Sequence, residues 1–147
     1  MNLLIVEDQE FPREALEFAV KNVMPKYYEG FSKDNYVCAR WYVEAEKFIA
    51  EKAYDFVLLD HRMPYENPQC KDTENMQIFS DTLQDIGYAL IEKIKAKNPR
   101  GVVIGTSSLS ERELSGFAKP DFTLRKDFIH TESDLEYILT QLKEGVK

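Results

Sequence analysis

Short and almost continuous apolar runs are the feature that most constrains the fold of this chain. Three of them lie at residues 3–6, 56–59 and 102–104, and two weaker runs lie at 36–39 and 122–124. Strands covered on both faces have this pattern, because neither face meets water. Amphipathic segments with helical spacing separate the runs. We therefore predict an α/β domain with a doubly wound, five-stranded parallel sheet.

One helix is predicted after each strand. The last has the clearest apolar face, which runs from Leu135 to Val146. The fourth is expected to be short, and Ser110 followed by Glu113 has the pattern of a capping box that would open it. These five strand–helix units use the whole chain.

The chain has 147 residues, which predicts a single domain covering residues 1–147. The third and fourth strands start at residues 56 and 102, a gap of 46 that exceeds the other gaps. The polar segment at about 65–85 accounts for the excess and is predicted to be an insertion between strand 3 and helix 3. Long connections of this kind are usually functional or disordered. Apolar spacing around Ile78 and Phe79 favours an extra helical turn or two within it.

Composition excludes several classes of function. The chain carries 19 basic and 26 acidic residues, a formal net charge of −7, which disfavours nucleic-acid and anionic-membrane partners. Cys38 and Cys70 have no zinc-site or disulfide-framework spacing. No apolar run is long enough to span a membrane, and no signal peptide is recognisable. We expect a cytoplasmic protein.

Charged and hydroxyl side chains follow the predicted strands at their carboxyl ends. Glu7 and Asp8 follow the first strand, Asp60 the third, Thr106 the fourth and Lys126 the fifth. Ligands of open α/β sheets bind beyond this edge. Two carboxylates 4 Å apart repel by about 4 kcal/mol at an effective dielectric of 20. The acids therefore need a cation, and Mg²⁺ prefers such oxygen ligands.

This ordered set resembles the response-regulator receiver domain of two-component signalling. The resemblance is carried by Val6-Glu7-Asp8, by LLDHRMP at 58–64, by Gly87, by Thr106-Ser107 and by Lys126. It covers nearly the whole chain apart from the insertion. It implies a flavodoxin-like (βα)5 fold with strand order 2-1-3-4-5.

The resemblance also implies a role for each residue. Asp60 would accept a phosphoryl group from a sensor histidine kinase or a histidine phosphotransfer protein. Mg²⁺ would be held by Glu7, Asp8, Asp60 and the backbone carbonyl of Arg62, while Thr106 and Lys126 would contact the phosphoryl oxygens. Such a protein is not an enzyme in its own right. It switches a protein–protein interaction or relays the phosphate.

Three departures from the family pattern keep an alternative open. Asp127 follows Lys126 where the family usually has proline, and Thr123 stands where an aromatic residue is usual. The insertion is the third departure. The alternative, supported by Asp127 and Thr123, is a degenerate receiver that binds proteins through the inserted loop without being phosphorylated. Ser107 could replace Thr106 as the hydroxyl, and His61 is predicted to be a packing residue beside the third strand.

A metal-dependent phosphohydrolase with an aspartyl nucleophile is a third class of function. Such enzymes carry D-x-D after the first strand, whereas positions 8–10 here read Asp-Gln-Glu. The sequence therefore disfavours this class.

Overall fold

The computed structural model describes residues 1–145, so Val146 and the last residue of the predicted domain lie outside it. In chain order the strands are β1 (Leu3–Val6), β2 (Tyr36–Ala39), β3 (Phe56–Leu59), β4 (Arg62–Pro64), β5 (Leu83–Asp85), β6 (Val102–Gly105) and β7 (Phe122–Thr123). The helices are α1 (Glu10–Tyr27), α2 (Tyr42–Glu51), α3 (Met76–Ser80), α4 (Ile91–Lys97) and α5 (Thr131–Lys143).

The main sheet is five-stranded and parallel, in the order β2-β1-β3-β6-β7. Counted among the strands of this sheet alone, that order is the predicted 2-1-3-4-5. The predicted fold class is confirmed. β4 and β5 form a separate antiparallel pair.

Both faces of the central strands are buried, which explains their continuous apolar sequence. Leu3 and Ile5 of β1 pack on the side of α1 and α5, in one apolar cluster. Leu4 and Val6 point the other way and pack on the side of α2 and α4. Side chains alternate along a strand, so a strand between two helical layers needs an apolar residue at each position.

The predicted fourth helix is wrong, because residues 111–116 form turns instead. The capping box does form: the Glu113 N–H donates to Ser110 Oγ at 3.3 Å, and the Ser110 N–H donates to Glu113 Oε1 at 3.2 Å. A cap satisfies only the first turn, and each further turn needs residues that continue the helix. Gly116 follows with a φ of 90°, outside the helical region, and stops it.

The segment predicted to be an insertion has structure of its own. β4 and β5 pair in the register Arg62↔Asp85 to Pro64↔Leu83, with α3 between them. Asn75 begins α3 by accepting a hydrogen bond from the Ile78 N–H at 3.1 Å. The extra helical turn expected there is therefore present. Across residues 1–145, each helix is too short or too polar to cross a bilayer.

Candidate functional site

Three carboxylates meet at the carboxyl edge of the main sheet. β1 and β3 are neighbours in register, and the Asp60 N–H donates to the Val6 carbonyl at 3.2 Å, so the residues after these strands lie side by side. Oxygens of Glu7, Asp8 and Asp60 lie within 4.8 Å of one another. The three residues are buried, with exposed fractions of 0%, 7% and 6%. The sequence predicted this cluster from the strand ends.

Lys126 links two of these acids. Its Nζ lies 2.7 Å from Glu7 Oε1 and 2.8 Å from Asp60 Oδ2. Burial alone would lower the pKa of Lys126, but the two carboxylates outweigh burial and raise it, so the ammonium stays charged. The loop after β7 thus places one positive charge between acids that follow β1 and β3.

Asp8 has no such partner. Neither of its oxygens has a hydrogen-bond partner although both are buried. Burial, with the charges of Glu7 and Asp60, raises the pKa of Asp8 to about 9. Burial is also the largest cause of the raised pKa of Glu7. When all three carboxylates are ionised, as metal binding requires, they and the one ammonium carry a net charge of −2, and the unpartnered oxygens of Asp8 are free to bind the ion. These residues therefore fit a divalent cation such as Mg²⁺.

The Asp60 carboxylate also faces a small opening to solvent. Its Oδ1 accepts a hydrogen bond from the His61 N–H at 2.8 Å. A cavity of about 220 Å³ lies over it, lined by Gln9, Asp60, Arg62, Ser107, Ser108, Leu109 and Lys126. A carboxylate, an ammonium and hydroxyl groups around one opening are groups that could bind and receive a phosphoryl group.

The two candidate hydroxyl groups occupy different places. Thr106 directly follows β6 and is buried, and its Oγ1 has no hydrogen-bond partner. Ser107 is half-buried and lies on the wall of the cavity over Asp60, where its Oγ accepts the Leu109 N–H at 3.2 Å. Both residues therefore lie at the site edge, and Ser107 is the one that lines the opening.

Solved structures with this architecture were found by comparison. The receiver domain of a response regulator (CheY-like) from Methanospirillum hungatei is 21% identical, with 97% of this chain and 94% of that one covered and a TM-score of 0.59. A signal receiver domain from Colwellia psychrerythraea is 17% identical, with 98% of each chain covered and a TM-score of 0.60. The response regulator TrrA of Thermotoga maritima, in complex with Mg²⁺-BeF, is 18% identical, with 98% of each chain covered and a TM-score of 0.57.

The chain has the receiver fold. No protein-family model and no curated protein matches the sequence. The structural likeness spans nearly the whole chain, as the sequence resemblance does. At these identities the likeness concerns the fold, and the roles of individual residues remain predictions.

Arg62 lies beside the receiver-fold site at the start of β4. Its Nε donates to Asp85 Oδ1 of β5 at 3.0 Å, and both side chains are about half exposed. The side chain of Arg62 thus joins the two strands of the hairpin, and the residue also lines the cavity over Asp60. The sequence predicted that the backbone carbonyl of Arg62 is a metal ligand, and this role stays a prediction.

The departure at Asp127 leaves Lys126 in contact with the acids. The described backbone, residues 1–145, contains no cis peptide bond. The Asp127 carboxylate accepts the backbone N–H groups of Ile129 at 2.8 Å and His130 at 2.6 Å, which orders the turn before α5. A hydrogen-bonded turn therefore stands where the family usually has proline.

Sequence reasoning missed a buried cluster around His61, the residue after Asp60, that contains Tyr88. His61, which was predicted to be a packing residue, is fully buried. Its Nδ1 accepts a hydrogen bond from the Tyr88 N–H at 3.0 Å. Its ring packs against Tyr88 and Phe117, with ring centroids 4.8 and 4.4 Å away. A Cβ on Gly105 would lie 2.3 Å from the Tyr88 hydroxyl, so this glycine makes room for the tyrosine. Thr123 lies opposite Gly105 in the register of β6 and β7. This small residue, where the family usually has an aromatic one, was the sequence signal that could have indicated the cluster.

Proposed function

We propose that the chain is a response-regulator receiver that accepts a phosphoryl group on Asp60 with the help of Mg²⁺. The observation that carries the proposal is the meeting of Glu7, Asp8 and Asp60 within 4.8 Å, with Lys126 bound to two of them. An acidic cluster alone occurs on many proteins. A buried cluster with a bridging lysine, at this edge of a receiver fold, is more specific.

The proposed reaction transfers a phosphoryl group from the donor to a carboxylate oxygen of Asp60. A carboxylate oxygen of Asp60 attacks phosphorus, and the bond from phosphorus to the donor nitrogen or oxygen breaks as that atom keeps the electron pair. The product is an aspartyl phosphate. Glu7, Asp8, Asp60 and the Arg62 carbonyl would hold Mg²⁺, which when bound supplies positive charge beside the phosphoryl oxygens.

Lys126 changes its partner in this proposal. In the structure it binds Asp60 Oδ2 at 2.8 Å. A phosphoryl group on Asp60 gives Lys126 three oxygens to bind, farther from the sheet. The same oxygens can accept a hydrogen bond from the hydroxyl group of Ser107 or Thr106. The loops after β6 and β7 would then favour a second arrangement, which shifts an existing equilibrium.

A protein donor is supported by the surface beside the site. Phe11, Phe18, Phe128 and Ile129 are exposed on α1 and on the loop after Lys126, and the rings of Phe18 and Phe128 lie 5.9 Å apart. Clustered apolar side chains on a soluble surface mark a protein contact. We propose that a sensor histidine kinase or a histidine phosphotransfer protein binds here, in the cytoplasm, and brings its phosphohistidine to Asp60.

The test is intact-mass measurement after incubation with acetyl phosphate and Mg²⁺. We expect one added phosphoryl group per chain, lost in Asp60→Asn and when the metal is chelated. The exposed acid Asp34 provides a matched control, and Asp34→Asn should be modified as the wild type is. An adduct that persists in Asp60→Asn would contradict the assignment.

The degenerate-receiver alternative is favoured by the departures at Thr123 and Asp127 and by one structural observation, the turns that replace the predicted fourth helix at residues 111–116. Under that alternative no donor gives an adduct. We further propose that the chain is not a phosphohydrolase, so it takes up one phosphoryl group and does not turn over a phosphate ester many times.

A further inference from the structure

A second cavity lies on the other side of Asp8, between the hairpin segment and the start of α1. We call it the insertion pocket. Its volume is about 260 Å³. Its charged lining residues are Asp8, Glu10, Arg13, Arg40, Lys71 and Asp72, and Trp41 and Phe79 add aromatic surface. It shares no lining residue with the cavity over Asp60. The pocket would not exist without residues 65–85, which form one wall.

The wall is fixed to the rest of the domain at several points. Asp72 Oδ2 accepts the Glu10 N–H at 3.2 Å, at the first residue of α1. The Tyr65 carbonyl accepts the Val43 N–H at 2.9 Å, and the Tyr65 ring stacks on Tyr42 with centroids 5.6 Å apart. Contacts to both α1 and α2 hold the segment against the site edge.

Three cationic side chains line the insertion pocket. Arg13 comes from α1, Arg40 from the end of β2 and Lys71 from the hairpin segment, and Arg40 lies 5.3 Å from the centre of the Trp41 ring. Within residues 1–145 none of the three forms an ion pair. Glu10 and Asp72 line the same cavity, so three cations without ion pairs stand beside two carboxylates in addition to that of Asp8.

Asp8 lies at the inner end of the same pocket. It is 7% exposed, and both its oxygens lack a hydrogen-bond partner. A bare carboxylate repels an anion, whereas a divalent cation bound there offsets the charge of −2 left by the three acids and Lys126. The three cations of the pocket then exceed Glu10 and Asp72 by one positive charge. The pocket is therefore suited to an anion that lies between the metal and the three cationic side chains.

We propose that the insertion pocket binds a small oxyanion, of the size of phosphate, next to the metal ion on Asp8. Sites for drug-sized ligands have volumes of roughly 300–1,000 Å³, so a pocket of 260 Å³ suits a smaller ion and not a nucleotide. Arg and Lys are the side chains that bind such oxyanions most strongly. The metal in this proposal rests on the proposed function, while phosphorylation of Asp60 plays no part in it.

The test uses Trp41, the only tryptophan of the chain, as a reporter within the pocket. Inorganic phosphate is titrated into the protein in saturating Mg²⁺, and Trp41 fluorescence is followed alongside calorimetry. We expect saturable binding that weakens at least tenfold in the double variant Arg13→Gln/Lys71→Gln. Lys33→Gln, an exposed lysine outside the pocket, is the matched control and should bind as the wild type does.

Binding at the phosphoryl site instead would give a different pattern. Lys126→Gln would then weaken phosphate binding while Arg13→Gln/Lys71→Gln would not, and that result overturns the proposal, as does a titration with no binding by either method. The proposed function fails separately. If acetyl phosphate gives no adduct but phosphate binding still depends on Arg13 and Lys71, the pocket stands without it.

Discussion

The carboxylate of Asp8 lies inside the protein beside two other carboxylates, with both oxygens unpartnered. In the folded, metal-free protein its pKa is raised to about 9 from an ordinary value of 3.8. Between those values the folded state holds a proton that the unfolded state releases. The folded state therefore binds more protons, and the free energy of unfolding falls as pH rises through this range.

Asp8→Asn removes the titrating carboxyl group and keeps the shape of the side chain. Without metal we expect the variant to be more stable than the wild type at pH 8, by about 1–3 kcal/mol, because no buried carboxylate has to ionise or hold its proton. Its stability should also decline less between pH 5 and 9. Urea unfolding across this pH range, with chelator or with Mg²⁺, measures both effects.

The metal provides the second half of this test. Mg²⁺ should stabilise the wild type and stabilise Asp8→Asn much less, because a ligand that binds only the folded state adds to its stability. Asp34→Asn serves as the control and should respond as the wild type does. An equal Mg²⁺ effect in all three proteins would show that Asp8 holds no metal.

Among the elements, the β4–β5 hairpin is joined to the site by backbone contacts. The N–H groups of Ile86 and Gly87 donate to the His61 carbonyl at 3.0 and 2.7 Å, directly after β5 ends. A Cβ on Gly87 would lie 1.9 Å from the Asp60 carbonyl oxygen. The hairpin can approach Asp60 this closely only because residue 87 has no side chain.

Gly87→Ala should therefore destabilise the protein by about 1–3 kcal/mol, the range for an added methyl group in a packed site. It should also slow phosphorylation of Asp60, since the backbone of Asp60 has to move. Thermal unfolding and the rate of adduct formation are the measurements. Ala89→Ser, a small change at an exposed neighbour, should alter neither. Unchanged stability in Gly87→Ala would refute the close approach.

The sequence was sufficient for the main sheet because burial on two faces leaves a strong pattern. β1, β3 and β6 are fully buried, and the acids that follow β1 and β3 had to meet once these strands were neighbours. The three-residue strands β4 and β5 were not predicted, because so short a strand shows no periodicity. The fourth helix was overpredicted from a capping box, a signal that marks a start and carries no information on length.

The insertion pocket could not be predicted, for a different reason. Arg13, Arg40 and Lys71 are far apart in sequence, and each reads alone as a surface charge. Their common cavity depends on how residues 65–85 fold back, which no local pattern specifies. Asp8 was predicted as a metal ligand. That both its oxygens lack a hydrogen-bond partner can be seen only in the structure.

At the scale of the whole molecule, the segment between β4 and β5 is an addition to a complete sheet. It supplies no strand to the main sheet, and the core clusters around that sheet contain only Met63 from the hairpin. Replacing residues 66–81 with a short turn should therefore leave a cooperatively folded domain that is still modified on Asp60.

The same variant should lose the fluorescence response to phosphate, because Lys71 and Phe79 leave with the segment. Urea unfolding, adduct mass and the Trp41 titration are read together on one preparation. Because the segment also buries Phe79, which is 2% exposed, we expect a loss of stability of about 3–5 kcal/mol. Failure of the shortened chain to fold would show that the segment is part of the domain's core.

β7 is only two residues long and forms one of the two edges of the main sheet, opposite β2. An edge strand this short has few unpaired backbone N–H and C=O groups. A strand of another molecule therefore finds little to pair with, which limits edge-to-edge aggregation. A protein that binds at this edge must therefore contact side chains, such as those of Thr123 and Phe117, which line one cavity. Single substitutions of these side chains can change the binding during evolution.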